Sequence, residues 1–242
     1  FYSGFGLGTI LLPVFALVLP APTAIAATAI VHLANSLFKA ALLRQAANWA
    51  IAWRFALFAV PASALGALAL GALAQASAPV RWGVGPVRFE PSAAGLAAGL
   101  MLLGLTALEL TPWFQRLSAP LRLLPLGGLI VGFVGGLTGQ QGALRSVFLL
   151  KAGLSAPAMI ATGSVIAAAV DLARLPLYAS QIAAGGLSSQ AGLWIGLSCL
   201  AAFAGAALGF TRLKAARVGS VRLAVAALMA AGGAALVTGV IG

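Results

Sequence analysis

Acidic side chains are almost absent: Glu90, Glu109 and Asp171 are the only three among 242 residues. That scarcity excludes paired-carboxylate acid–base chemistry and argues against a cation channel, whose pore is lined by acids. Cysteine is just as scarce. Cys199 stands alone in an apolar run, so no intramolecular disulfide forms and the residue reads as small packing material. The single histidine, His32, has no cysteine or acid near it in sequence and makes a poor metal site. HExxH, CxxC, GxSxG and P-loop patterns are all missing, so neither an enzyme nor a cofactor is expected. Charge of either sign is sparse, at 7% of residues against ~25% in soluble domains.

Apolar residues fill the space. They make up 62% of the chain, and mean hydropathy is +1.09. This is a polytopic membrane protein. At ~20 residues per span, residues 1–242 accommodate about seven or eight membrane segments in a single transmembrane domain. The 14 Lys and Arg outweigh the acids to give a net charge of +11. Basic cytoplasmic loops explain most of that excess. No stretch forms a basic soluble face, so nucleic acid is not an expected partner.

One polar stretch interrupts the apolar sequence. Residues 132–145 read GFVGGLTGQQGALR, with five glycines, two glutamines and an arginine between membrane-like flanks. Unsatisfied backbone groups in hydrocarbon cost several kcal/mol each, so such a break persists only where protein buries it or it lines a cavity. Broken helices of this kind mark binding sites in secondary transporters. A second break is expected near Gly4, where the chain reads Gly4-Phe5-Gly6-Leu7-Gly8. Apolar runs predict spans over residues 23–43, 51–73, 92–110, 158–178, 191–210 and 223–241. Between them lie a loop over 75–91 anchored at the interface by Trp82, a short basic loop over 111–122, an uncharged loop over 183–190, and a loop bearing Arg212, Lys214, Arg217 and Arg222.

The chain repeats itself without gaps at an offset of 135, which sets Gly4 on Gly139, Pro22 on Pro157, Leu37 on Leu172 and Lys39 on Arg174. The repeats run over 1–113 and 121–242, and the alignment implies a counterpart of residues 121–135 ahead of Phe1. If every apolar run crosses the membrane, the loop cations divide almost evenly between the two faces. If the two Gly-rich segments are re-entrant hairpins, Lys39, Arg44, Arg54, Arg116, Arg122, Lys151, Arg212, Lys214, Arg217 and Arg222 share one face, and only Arg81 and Arg88 remain opposite. The expected fold is therefore an all-α polytopic membrane protein of two inverted repeats. Each would have a Gly-rich re-entrant or broken helix and about three transmembrane helices.

Polar residues within the spans form the candidate site. Thr28, His32, Asn35, Ser36 and Lys39 fall on one helical face; Ser164, Asp171, Arg174 and Tyr178 form a similar stripe, with Ala167 and Ala168 leaving room beside it. Asp171 and Arg174, at i and i+3, either neutralise each other or face a substrate. His32 is a packing residue, a proton relay or a substrate donor. Arg145 follows Gly142 by three residues and needs an anion. The free N–H groups of the short helix beginning near Gly142, the side chains of Gln140 and Gln141, and the bare backbone at Gly4, Gly6, Gly139 and Gly142 complete an oxyanion cradle. On the other reading Arg145 bonds hairpin carbonyls and holds the fold.

These segments resemble the TauE/SafE sulfite exporter family. Its GxGGGxxxxP-like element is matched first by Gly4, Gly6 and Gly8 with Pro13, and again by Gly132, Gly135, Gly136, Gly139 and Gly142. Ala161-Thr162-Gly163-Ser164 is similar to the Ala-Thr-Ser element that follows. Gln141 stands where a glycine is usual and Phe148 where a proline is usual. The resemblance implies a permease in the bacterial inner membrane moving sulfite, a sulfonate or a related sulfur oxyanion by alternating access. Membrane lipid is an expected partner, proton coupling would fall to His32 or Asp171, and homo-oligomerisation stays open. The competing reading is a non-transporting scaffold whose basic face holds anionic lipid. That protein would depend on Arg212, Lys214, Arg217 and Arg222, whereas a permease would depend on Arg145 and the intramembrane stripes.

Overall fold

A computed structural model describes residues 7–76, 78–184, 189–212 and 218–242. They are helical apart from one small hairpin. The helices are α1 (Leu7–Ala16), α2 (Ala21–Leu42), α3 (Trp49–Ala74), α4 (Ala93–Leu110), α5 (Pro112–Arg116), α6 (Leu124–Thr138), α7 (Gly142–Leu149), α8 (Ala156–Arg174), α9 (Ala179–Ala184), α10 (Ser189–Arg212) and α11 (Val218–Thr238). Among the described residues, six stretches are long and apolar enough to cross a membrane: Ala21–Leu42, Trp49–Ala74, Ala93–Leu110, Leu121–Thr138, Ala156–Tyr178 and Ser189–Gly209.

Local chemistry sets the ends of these helices. Pro22 and Pro157 occupy first-turn positions of α2 and α8, where a missing N–H costs nothing. Asn48 caps α3 by accepting from the Ile51 amide at 3.0 Å, and Ser92 caps α4 by accepting from Gly95 at 3.0 Å. Gly139, at φ +81°, ends α6 in the left-handed conformation that glycine adopts without strain. The predicted loop over 75–91 contains a β-hairpin, β1 (Trp82–Val84) paired antiparallel with β2 (Val87–Phe89). Its turn places Gly85 at φ +60°. Trp82 stacks on Phe89 and donates its indole N–H to the Val237 carbonyl at 3.0 Å.

The predicted break over 132–145 is narrower in the structure. Helix α6 runs unbroken through Gly132, Gly135 and Gly136, and the chain leaves helical form only between Thr138 and Gly142. Packing supplies the reason. Lipid tails give no hydrophobic drive for helix pairing, so small residues that admit close backbone approach hold membrane helices together. Gly128, Gly132 and Gly136 lie on successive turns against the backbones of Phe55, Ala59 and Ser63, and Gly66 of α3 meets Phe133 and Leu137 in return. The two helices therefore run parallel, with bare backbone on both sides of the seam.

Helix α7 then folds back along α6. The ring of Phe148 covers Gly127, and the Ala119 amide donates to the Val147 carbonyl at 2.9 Å. Lys151, just past α7, lines the same surface cleft as Trp113 and Arg116, just before α6. Helices α4 and α11 pack antiparallel, Gly99 against Gly233 and Gly95 against Leu236. The main apolar cluster gathers alanines of α2 with Leu12, Phe15, Leu70, Tyr178 and Leu236, and half-buried Cys199 packs against its edge.

Candidate functional site

The turn joining α6 to α7 meets the start of α1 inside the bundle. A Cβ added to Gly8 would lie 2.9 Å from the Gly139 carbonyl oxygen, so the start of α1 has no room for a side chain there. The expected partners of this turn, Gly4 and Gly6, lie outside the described residues. So do Lys214 and Arg217, and the side chains of Arg212 and Arg222 are not described.

Behind the turn stands a buried ionic cluster centred on Asp171 of α8. His32 Nδ1 of α2 lies 2.6 Å from Asp171 Oδ2. Asp171 Oδ1 accepts from Arg174 Nε at 2.9 Å and from Gln141 Nε2 at 3.1 Å. Arg174 also donates to the Gly135 carbonyl, and the Tyr178 hydroxyl donates to that of Gly136. Those carbonyls belong to the last turn of α6, which carries the negative end of the helix dipole, and that of Gly135 also accepts from the Gly139 amide at 2.9 Å. One arginine and one tyrosine thus tie the broken end of α6 to α8. Asp171, Arg174 and Tyr178 are fully enclosed, and His32 is nearly so. The pairing expected from the i, i+3 spacing of Asp171 and Arg174 is present, with His32 as a third member that sequence spacing did not suggest.

Arg145 lies in front of this cluster. It is half-buried and donates from Nη1 to Gln141 Oε1 at 3.2 Å, and among the described residues it forms no ion pair. Helix α8 offers it Gly163, where even a Cβ would stand 3.3 Å from its Nε. Lys39 of α2 is near enough for the two cations to repel each other. Three cations, Lys39, Arg145 and Arg174, therefore converge on one carboxylate, Asp171, which His32 and Arg174 already engage. Polar atoms nearby lack partners in the structure: Thr28 Oγ1, Asn35 Oδ1, and both side-chain atoms of Gln140. Gln140 is buried at 2% exposure. The first intrahelical bond of α7 runs from Arg145 N to Gln141 O, 3.0 Å, so the N–H groups of Gly142, Ala143 and Leu144 precede the ladder. Excess positive charge and a helix N-terminus at one place suit an anion.

His32, Lys39, Gln141, Arg145, Asp171 and Arg174 come together as one connected group, with Gly139 and Gly142 at its edge. Gln141 does not present a free amide. Its two ends link Asp171 to Arg145, while Gln140 points elsewhere, into a cleft shared with Thr9, Leu105 and Glu109. Sequence reasoning placed Gly8 and Gly163 in family-like motifs without naming either as a site residue, and gave Glu109 no role. Glu109 had a usable signal, because an acid inside an apolar span is rarely idle.

The Sulfite exporter TauE/SafE family model matches residues 2–236. No curated protein and no solved structure gives a significant match. The match covers nearly the whole chain, including both Gly-rich segments and every helix described above except the last two residues of α11. It agrees with a bundle of membrane-crossing helices around a buried cationic site. The chain belongs to the TauE/SafE sulfite exporter family, whose members are multi-pass membrane transporters and not enzymes.

Proposed function

We propose that this protein is a secondary permease for sulfite or a small sulfonate, acting by alternating access in a bacterial inner membrane. The anion binds at the N-terminal end of α7, beneath the meeting point of Gly8 and Gly139. The observation that carries this reading is Arg145, a half-buried guanidinium with no ion-pair partner among the described residues, next to Lys39 and the first N–H groups of α7. A cation at that depth is costly without an anion, and a fork of N–H donors suits a trigonal or tetrahedral oxyanion.

The proposed architecture is one transmembrane domain of two inverted repeats, 1–113 and 121–242, each with a re-entrant hairpin. The element order supports it: α1, α2, α3 and α4 are matched in sequence by α7, α8, α10 and α11. Counterpart helices also pack antiparallel. Along α2 and α8, His32 meets Asp171 while Ile25 and Thr28 approach Gly139 and Arg174, and α4 opposes α11 in the same sense. The closeness of Lys151 to Arg116 supports a segment that enters and leaves by the same face. Rocking of one repeat against the other would then expose the site to each side in turn.

The test is flux of radiolabelled sulfite and of taurine into proteoliposomes, comparing wild type with Arg145→Ala and Arg145→Lys. Hydrogen bonds to a charged group contribute ~1.5–3 kcal/mol, so Arg145→Ala should weaken apparent affinity by roughly 10–150-fold. Arg145→Lys should recover part of it, keeping charge without the fork. Full flux in a folded Arg145→Ala protein would make Arg145 structural and remove the site from α7. Absence of flux in wild type, together with binding to anionic-lipid vesicles through Arg212, Lys214, Arg217 and Arg222, would favour a lipid-binding scaffold instead.

A further inference from the structure

The short loop between α4 and α6 builds one wall of an open cleft of about 440 Å³. Thr111 caps α5 there, accepting from the Phe114 amide at 3.3 Å, and Pro112 takes a first-turn position. Phe114 is buried and pins this single turn to the bundle. Trp113 and Arg116, three residues apart and so on one side of the turn, are left exposed and line the cleft. Leu117 and Ser118 continue the lining, with Leu117 in extended conformation. The Ala119 amide then bonds to α7 at Val147, and this contact brings exposed Lys151, just past α7, to the same cleft.

We infer that this cleft seats the phosphodiester head group of one anionic phospholipid, bridged between Arg116 and Lys151. Charge is the first argument. Two cations and no acid line the cleft, and neither cation forms an ion pair among the described residues. Depth is the second. The loop joins two stretches apolar and long enough to cross a membrane, Ala93–Leu110 and Leu121–Thr138, so it lies at a membrane boundary. Tryptophan at such a boundary sits at the level of the lipid head groups. The third argument separates a lipid from a free oxyanion. Leu110, Leu121 and Leu150 stand beside the cleft residues in sequence and are all exposed. A small oxyanion would leave most of the cleft unfilled and these leucines uncovered, whereas a lipid fills the cleft with its head and covers the leucines with its chains.

The two cations divide the work by their chemistry. The Arg116 guanidinium presents a fork to the two non-ester oxygens of the phosphate, and the Lys151 ammonium adds a compact charge from the other wall. Both apolar stems lie along the lipid as their heads reach the phosphate. A zwitterionic lipid is disfavoured, because its own ammonium would face two cations. Bound in this way, the phosphate ties the chain entering α6 to the chain leaving α7, which closes the base of the segment that carries Gln141 and Arg145. The site is separate from the loop bearing Arg212, Lys214, Arg217 and Arg222. It goes beyond the permease reading and does not depend on it, since the lipid is a bound partner and not cargo.

The experiment is native mass spectrometry of the full chain in neutral detergent, titrated with phosphatidylglycerol or with phosphatidylcholine. Wild type should hold one phosphatidylglycerol in clear preference to phosphatidylcholine. Arg116→Gln and Lys151→Gln should each weaken that binding about fivefold, and together roughly 30-fold. Arg116→Lys with Lys151→Arg keeps both charges and should recover most of the affinity, which separates lost charge from a disturbed loop. Arg44→Gln with Arg54→Gln removes two exposed cations that do not line the cleft and should leave the bound lipid in place. Equal loss in that control, or full binding in Arg116→Gln with Lys151→Gln, overturns the inference. So does displacement of the lipid by millimolar inorganic phosphate or sulfite, which would make the cleft a site for free oxyanions. Sulfite flux tests the permease reading separately, and its failure would leave a retained phosphatidylglycerol untouched.

Discussion

The seam between α3 and α6 can be broken by one methyl group. A Cβ at residue 132 would lie 2.8 Å from both the carbonyl carbon and the Cα of Ala59, and closer still to its carbonyl oxygen, whereas ordinary contact begins at 3.4 Å. The obstacle is backbone, which cannot rotate away, so Gly132→Ala forces the helices apart by at least roughly 0.6 Å. A radial gap of ~0.5–1 Å forfeits about a quarter to a half of the dispersion energy of each facing atom pair, and the loss extends to the neighbouring turns at Gly128 and Gly136. Overpacking of this kind costs ~1–3 kcal/mol. The controls are Gly104→Ala and Gly196→Ala, helical positions where a Cβ meets nothing within 4 Å. There the better helix propensity of alanine should stabilise by up to ~1 kcal/mol. Unfolding in mixed micelles titrated with SDS reads all three. If Gly132→Ala tracks the controls, the seam does not hold α6 in place and the packing argument fails. Because α6 sets the position of Gly139, Gly132→Ala should also reduce anion flux in protein that remains folded.

Two further outcomes follow from the cluster behind the turn. Asp171→Asn leaves Arg174 enclosed without its counter-charge and should destabilise by ~3–5 kcal/mol in the same assay, while Asp171→Asn combined with Arg174→Met should recover part of that loss. Tyr178→Phe removes the donor to the Gly136 carbonyl and should cost ~1–2 kcal/mol. A Tyr178→Phe protein of unchanged stability would mean that α6 needs no tether from the chain following α8.

Much of this arrangement was legible because membranes restrict the options. Long apolar runs gave five of the six candidate spans to within a few residues, while Leu121–Thr138 falls in a segment assigned to a hairpin and 223–241 meets only a shorter apolar helix, Leu223–Thr238; charged residues inside the apolar segments marked α2, α7 and α8 as the elements of the candidate site. Proline and serine marked the start of α8 for ordinary reasons of capping. The break was drawn too wide for a physical reason. Glycine weakens a helix in isolation, but Gly132 and Gly136 are there because α3 presses against them, a fact about a partner helix 70 residues earlier in the chain. The joining of His32 to Asp171 was hidden in the same way, since the two residues stand 139 positions apart. Gln141 looked like a substrate donor because its position on α7 was visible and its neighbours were not. Only the folded chain shows it spanning Asp171 and Arg145. The hairpin over 82–89 was missed because three-residue strands leave no periodic signal, although Gly85 before Pro86 suits its tight turn.

The scarcity of acids and the geometry of the site lead to one more test. A carboxylate beside a bound anion is a barrier, and two of the described acids are kept from acting as one: Glu90 pairs with Arg81 on the exposed hairpin, and Asp171 is engaged by His32 and Arg174. Placing a new carboxylate on the polar face of α2 should therefore block transport without unfolding the protein. Asn35 is the suitable position. It is buried, its Oδ1 has no partner, and Lys39 follows it by one helical turn. Asn35→Asp gains an i, i+4 pair with Lys39 in the favourable acid-before-base order, so stability should change by less than ~1 kcal/mol. The new charge opposes the anion directly and also occupies a cation that would otherwise attract it. At an effective dielectric constant of ~20, two like charges ~6 Å apart repel by about 3 kcal/mol, or roughly a hundredfold in affinity. Sulfite flux against concentration, measured beside the unfolding curve, separates the two effects. A hundredfold rise in half-saturating concentration with an unchanged unfolding curve places the anion between α2 and α7. Unaltered flux in Asn35→Asp would mean that the anion never comes near this face, and that Arg145 and Lys39 serve the fold alone.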